Sequence, residues 1–107
     1  MNRRTLMVAL IALAVSALFA GAALAHTPIC MAYLNDDGTV TCEGGFSDGS
    51  SAAGTKMTVR TPDGTVLIEG AMDEFSEFSF EKPEGPFEVE FNAGPGHVIV
   101  IKGEDIK

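Results

Sequence analysis

The chain has no tryptophan, only two cysteines and two histidines, and seven basic residues against fifteen acidic ones. Each shortage excludes something. Without tryptophan there is no Cys–Trp–Cys core of the kind found in antibody domains. Setting aside the basic head of the chain leaves Lys56, Arg60, Lys82, Lys102 and Lys107 as its only cations. So acidic a surface repels nucleic acid and anionic membranes, and neither is expected as a partner. Two histidines leave little choice of general base, and the serines cluster in loops. No nucleophile constellation results, and the chain reads as a non-enzyme. No segment carries the apolar period of an amphipathic helix.

Only one long hydrophobic run is present, and it lies at the N-terminus. Met1-Asn2-Arg3-Arg4 forms a basic head, residues 6–20 are apolar except for Ser16, and Ala23-Leu24-Ala25 is an A-x-A cleavage signal. The run is short for a membrane span and lacks a basic stop-transfer flank. The expectation is a signal peptide over 1–25, cut after Ala25, and a periplasmic or secreted product not inserted in the membrane. Cys30 follows Thr27-Pro28-Ile29, so it is no lipoprotein acceptor. Removing 25 of the 107 residues leaves a domain of 82, residues 26–107, and takes the formal charge from −8 to −10. A domain of that size is near the lower limit for a self-sufficient core.

In an oxidising compartment Cys30 and Cys42 pair by default as a disulfide, typically worth about 2–4 kcal/mol. The alternative is a thiolate pair for a soft metal, although the spacing is far longer than that of common Cys ligand knuckles.

The rest of the chain is written in short alternating runs between turn residues. Strands are predicted over 29–34, 39–43, 56–60, 65–69, 76–81, 87–91 and 98–101, with 44–54 as a loop anchored by Phe46. Asp37-Gly38, Pro62-Asp63-Gly64 and Gly94-Pro95-Gly96 mark turns. A symmetric two-residue turn at Asp37-Gly38 would not set Cys30 opposite Cys42; a longer loop or a bulge is needed. Residues 98–101 are apolar throughout, which predicts a strand covered on both faces, and 102–107 reads as a polar tail. Six to seven such strands define an all-β fold, a small antiparallel β-sandwich of immunoglobulin-like or transthyretin-like type.

Several motifs dissolve on inspection. Residues 49–56 imitate a phosphate loop, but Lys and Thr stand in the wrong order and no helix follows. Asp36-Asp37-Gly38 and Asp48-Gly49 lack the ligand alternation of a calcium loop and read as turn chemistry. The carboxylates Asp73, Glu74, Glu77, Glu81, Glu88 and Glu90 read as a solvated face that discourages edge association.

That leaves His26 and His97. Cleavage after Ala25 would give His26 a free α-amine, so that amine and Nδ1 could chelate one metal, with His97 as a second imidazole. Three nitrogens in a plane suit Cu(II) or Ni(II). The competing reading makes His26 a chance residue after the cut and His97 a turn residue.

The order Ala25-His26, Ser47-Asp48-Gly49, Gly54-Thr55-Lys56-Met57-Thr58-Val59, Asp63-Gly64-Thr65-Val66-Leu67, Met72-Asp73-Glu74, Phe78-Ser79-Phe80 and Ala93-Gly94-Pro95-Gly96-His97 resembles a known family. It is that of the small periplasmic β-sandwich domains of nickel and cobalt uptake systems, the NikL-like accessory domains, which are also similar to carboxypeptidase regulatory-like modules. The resemblance implies Ni(II) or Co(II) bound through His26 and His97, and an energy-coupling-factor type metal transporter in the inner membrane as partner. This chain lacks the C-terminal membrane helix of many such proteins, adds Cys30 and Cys42, and has Ser76 where a turn glycine is common. Two other readings stand beside it: a non-catalytic envelope interaction module without metal, and a redox role for the cysteine pair.

Overall fold

In a computed structural model, which describes residues 2–24 and 26–107 (backbone alone for 14–24), the chain forms one helix and seven strands. Helix α1, Arg3–Leu24, is built from Ala and Leu, the strongest helix formers. Asn2 caps it by accepting the Thr5 N–H through Oδ1 at 2.9 Å. Among the described residues no helix is long and apolar enough to cross a membrane. The expected cleavage point, Ala25, lies outside the described residues.

The strands are β1 (Pro28–Leu34), β2 (Thr39–Phe46), β3 (Lys56–Arg60), β4 (Val66–Ala71), β5 (Glu77–Glu81), β6 (Glu88–Asn92) and β7 (Val98–Lys102). They form two antiparallel sheets, one in the order β1-β2-β5 and the other in the order β4-β3-β6-β7. The two sheets pack face to face as the sandwich that the alternating runs predict. Val40 and Cys42 of one sheet and Met57, Val59, Val89 and Phe91 of the other are almost wholly buried between them. The chain crosses between the sheets after β2, β4 and β5, so each sheet mixes strands distant in sequence.

Register fixes which loops share an end. Phe46, at the end of β2, packs its ring on Phe91 of β6, with centroids 6.2 Å apart. A Cβ on Gly44 would stand 2.7 Å from Met72 Sδ and 2.8 Å from Phe91 Cε2. The Phe46 end of the first sheet therefore lies over the Phe91–Asn92 end of the second. That end gathers the entry to β1 and the loops 47–55, 72–76 and 93–97. The opposite end holds the loops 35–38, 61–65 and 82–87 and the C-terminal tail. Strand β1 also packs beside β7 across the open side of the sandwich, and both begin at the first end.

Three details differ from the pattern in the sequence. Strand β2 runs on through Gly44 and Gly45 to Phe46, and Gly44 leaves room for Met72 and Phe91 to approach the sheet. Strand β7 is covered on one face only: Ile99 and Ile101 pack against the core, while Val98 and Val100 are 44% and 46% exposed on the other face. The polar tail contains a 3-10 turn, Gly103–Asp105, that returns Ile106 into the core, where it is 8% exposed.

Candidate functional site

The first end of the sandwich holds both histidines. The β1–β2 ladder opposes Pro28 to Phe46 and continues one step beyond the strands. There the Ser47 N–H donates to Thr27 O at 2.9 Å and the Thr27 N–H to Ser47 Oγ at 3.1 Å. One step further, His26 Nδ1 lies 3.0 Å from Asp48 Oδ2. His26 and Asp48 are thus cross-strand partners at the open end of this hairpin. The carboxylate can only accept, so Nδ1 carries the hydrogen, and in the neutral ring Nε2 is the lone-pair nitrogen.

Asp48 is itself braced. Its Oδ1 accepts the Ser50 hydroxyl at 2.6 Å and the Ser50 N–H at 2.9 Å. These bonds, with the attraction of His26 as a smaller contribution, hold its carboxyl below the usual range. The turn chemistry read from Asp48-Gly49 is therefore present, but it engages one oxygen and leaves the other for His26.

His97 ends the turn between β6 and β7. Its N–H bonds Gly94 O at 2.9 Å, Ala93 N–H bonds His97 O at 2.9 Å, and Asn92 Oδ1 accepts the Gly94 N–H at 2.9 Å. Pro95 followed by Gly96 at φ 78° is the pair that a type II turn requires. The ring turns back on the same loop, with Nδ1 3.1 Å from Pro95 O. A carbonyl oxygen cannot donate, so here too Nδ1 carries the hydrogen, and in the neutral ring Nε2 holds the lone pair.

The two histidines therefore stand one and two residues before β7 and β1, which run side by side in the same direction from the same end. Each has Nδ1 tied to an oxygen, the arrangement that orients metal-binding imidazoles and leaves Nε2 for the ion. In that sense the donors fit a divalent metal that accepts imidazole nitrogen. The amine–Nδ1 chelate expected at His26 would first have to displace Asp48 from Nδ1. Among the described residues no three His, Cys, Asp or Glu side chains stand together as a metal-binding group.

The cysteines lie away from this end. The ladder opposes Cys30 to Gly44 and Ala32 to Cys42, so the pair is diagonal, and both are free thiols. The β1–β2 loop is longer than two residues: Asn35 N–H bonds Thr39 O, and Gly38 takes φ 87° between them. That is the three-residue hairpin with a glycine bulge.

Two features went unread in the sequence. Arg60 of β3 bonds Glu88 Oε1 and Glu90 Oε2 of β6, both at 2.7 Å, so these carboxylates are held by a guanidinium rather than left in water. Only the pairing of β3 with β6 makes that contact. Asp48 as the partner of His26 was hidden in the same way, since it depends on hairpin register; the Asn35-to-Gly38 loop was the signal that could have supplied it. A cavity of ≈ 470 Å³ opens at the opposite end, lined among others by Pro62, Lys82, Pro86, Phe87 and Lys102, and it touches neither histidine.

Compared with known proteins, the chain matches no family model, no curated protein and no solved structure.

Proposed function

We propose that this is an exported metal-binding protein of the bacterial periplasm, an accessory to nickel or cobalt uptake or a buffer for those ions, released by removal of residues 1–25. One observation carries the reading. Both histidines have Nδ1 anchored to oxygen, and both enter adjacent parallel edge strands at one end of the sandwich. His26 and His97 bind Ni(II) or Co(II), with Cu(II) as the competing ion, through Nε2. Asp48 positions His26, and water completes the coordination. The resemblance to NikL-like domains adds an energy-coupling-factor transporter as the recipient of the metal.

Calorimetric titration of the chain beginning at His26 with Ni(II), Co(II) and Cu(II) tests this. The expected result is binding that weakens in both His26→Ala and His97→Ala, and about 10–100-fold in Asp48→Asn, the usual effect of losing a partner behind a ligand. Equal affinity in wild type and both histidine variants sinks the site. A second reading, a docking module without metal, draws on Phe75, which is 74% exposed in loop 72–76 at the same end. It predicts no binding of any of the three ions.

A further inference from the structure

Cys30 and Cys42 take no part in the histidine site. Their side chains lie on the same, core-facing side of the first sheet, two residues out of step across the β1–β2 ladder. Cys42 is fully buried, whereas Cys30 sits on edge strand β1 and is only half-buried. A hydrogen bond from the Cys42 thiol holds the Cys30 thiol below its ordinary range, although burial opposes it. The same bond, with burial and the nearby charge of a Cys30 thiolate, pushes Cys42 far up. The pair is therefore unequal: one thiol is reachable from the strand edge, and the other meets it from the core.

We propose that Cys30 and Cys42 form a reversible dithiol–disulfide redox site, in which Cys30 meets the oxidant and Cys42 resolves the intermediate. The oxidant is a low-molecular-weight disulfide such as oxidised glutathione. Cys30 thiolate attacks one of its sulfurs, the glutathione S–S bond breaks, and the leaving thiolate takes up the proton Cys30 gave up. Cys42 then loses its proton, bonds to the Cys30 sulfur and expels the second glutathione as a thiol. Two protein thiols lose two electrons, and one disulfide becomes two thiols.

Reversibility follows from register. Diagonal neighbours have Cα atoms about 7–8 Å apart, beyond the roughly 4.4–6.8 Å of most disulfides. Closing the bond must draw β1 across β2, and strain of that kind makes a disulfide easier to reduce. Strand β1 can yield because only β2 holds it within its sheet.

The test equilibrates the full chain in glutathione buffers of graded oxidised-to-reduced ratio, quenches with acid and counts remaining thiols by maleimide labelling and mass. The wild type is expected to lose two hydrogen masses and both labels in oxidising buffer, and to regain both labels within the glutathione range. Cys42→Ala should stop at a single glutathione adduct. Cys30→Ala should react more slowly by about tenfold or more, because its remaining thiol is buried. A bond that persists in the most reducing glutathione buffer makes the pair a permanent staple and overturns the proposal. So does a wild type that ends as an adduct with no internal bond, or equal reaction rates in the two variants. Should circular dichroism show either variant unfolded, the wild-type titration decides alone.

Discussion

Ser76 takes φ 60°, in the region that favours glycine, and is the sole non-glycine residue to do so among those described. Its hydroxyl explains the choice. Oγ accepts the N–H of buried Ala52 at 2.9 Å, and Ser51 Oγ lies 3.1 Å away, so the side chain ties loop 47–55 to loop 72–76. Removing it leaves a buried N–H without a partner, which costs about 1–3 kcal/mol. Ser76→Ala is therefore expected to lower stability by that amount. Ser76→Gly should lose less, because relief of the left-handed backbone returns about 1 kcal/mol. Urea midpoints of the two variants check the order.

Three aspartates act on the same scale. Asp37, Asp48 and Asp63 each accept bonds from a hydroxyl two residues away and from backbone N–H, in each case with the hydroxyl as the larger cause, and each carboxyl is held below its usual range. A folded-state pKa below the unfolded value of about 3.9 means that the unfolded chain binds more protons. These contributions are present above that value and fade as pH falls through the lower folded values. Denaturation midpoints measured from pH 6 down to 2 should therefore fall less steeply in a triple Asp→Asn variant than in the wild type.

The strands themselves were legible element by element, because 87–91 and 76–81 alternate cleanly and Pro, Asp and Gly punctuate the rest. What alternation could not show was where glycine serves as packing space. Gly44 ends no strand: it admits Met72 and Phe91 against the sheet. Gly44→Ala should cost about 1–3 kcal/mol through overpacking, and Phe91→Ala about 3–5 kcal/mol because the ring is 1% exposed at the centre of the core. Thermal unfolding of each variant tests both. Strand β7 misled for the converse reason. Val and Ile at every position read as a doubly covered strand, yet only Ile99 and Ile101 turn to the core, while Val98 and Val100 stand on the outer face, which no layer of the described residues covers.

For the whole molecule, the arrangement of ends matters more than any single strand. Crossing between sheets three times sets β1 beside β7, so two histidines 71 positions apart in sequence enter from the same end. A ligand that binds only the folded state at a hundredfold excess over Kd adds about 2.7 kcal/mol. Saturating Ni(II) or Co(II) should accordingly raise the Tm of the chain beginning at His26, and the same ion should leave His97→Ala unmoved. An unchanged Tm in the wild type counts against a site at that end.

The amino-acid sequence by itself determined the period-two strands, the turns between them, the acidic surface and the apolar head, because each is a local matter of residue type and spacing. It also named His26, His97, Cys30 and Cys42 as the residues with chemistry to offer. Only the tertiary structure decided what stands beside them: Asp48 opposite His26, Arg60 across Glu88 and Glu90, and Cys42 diagonal to Cys30. The physical reason is register. A shift of one residue in a hairpin, or a different order of strands in a sheet, leaves every local pattern intact and changes every cross-strand partner.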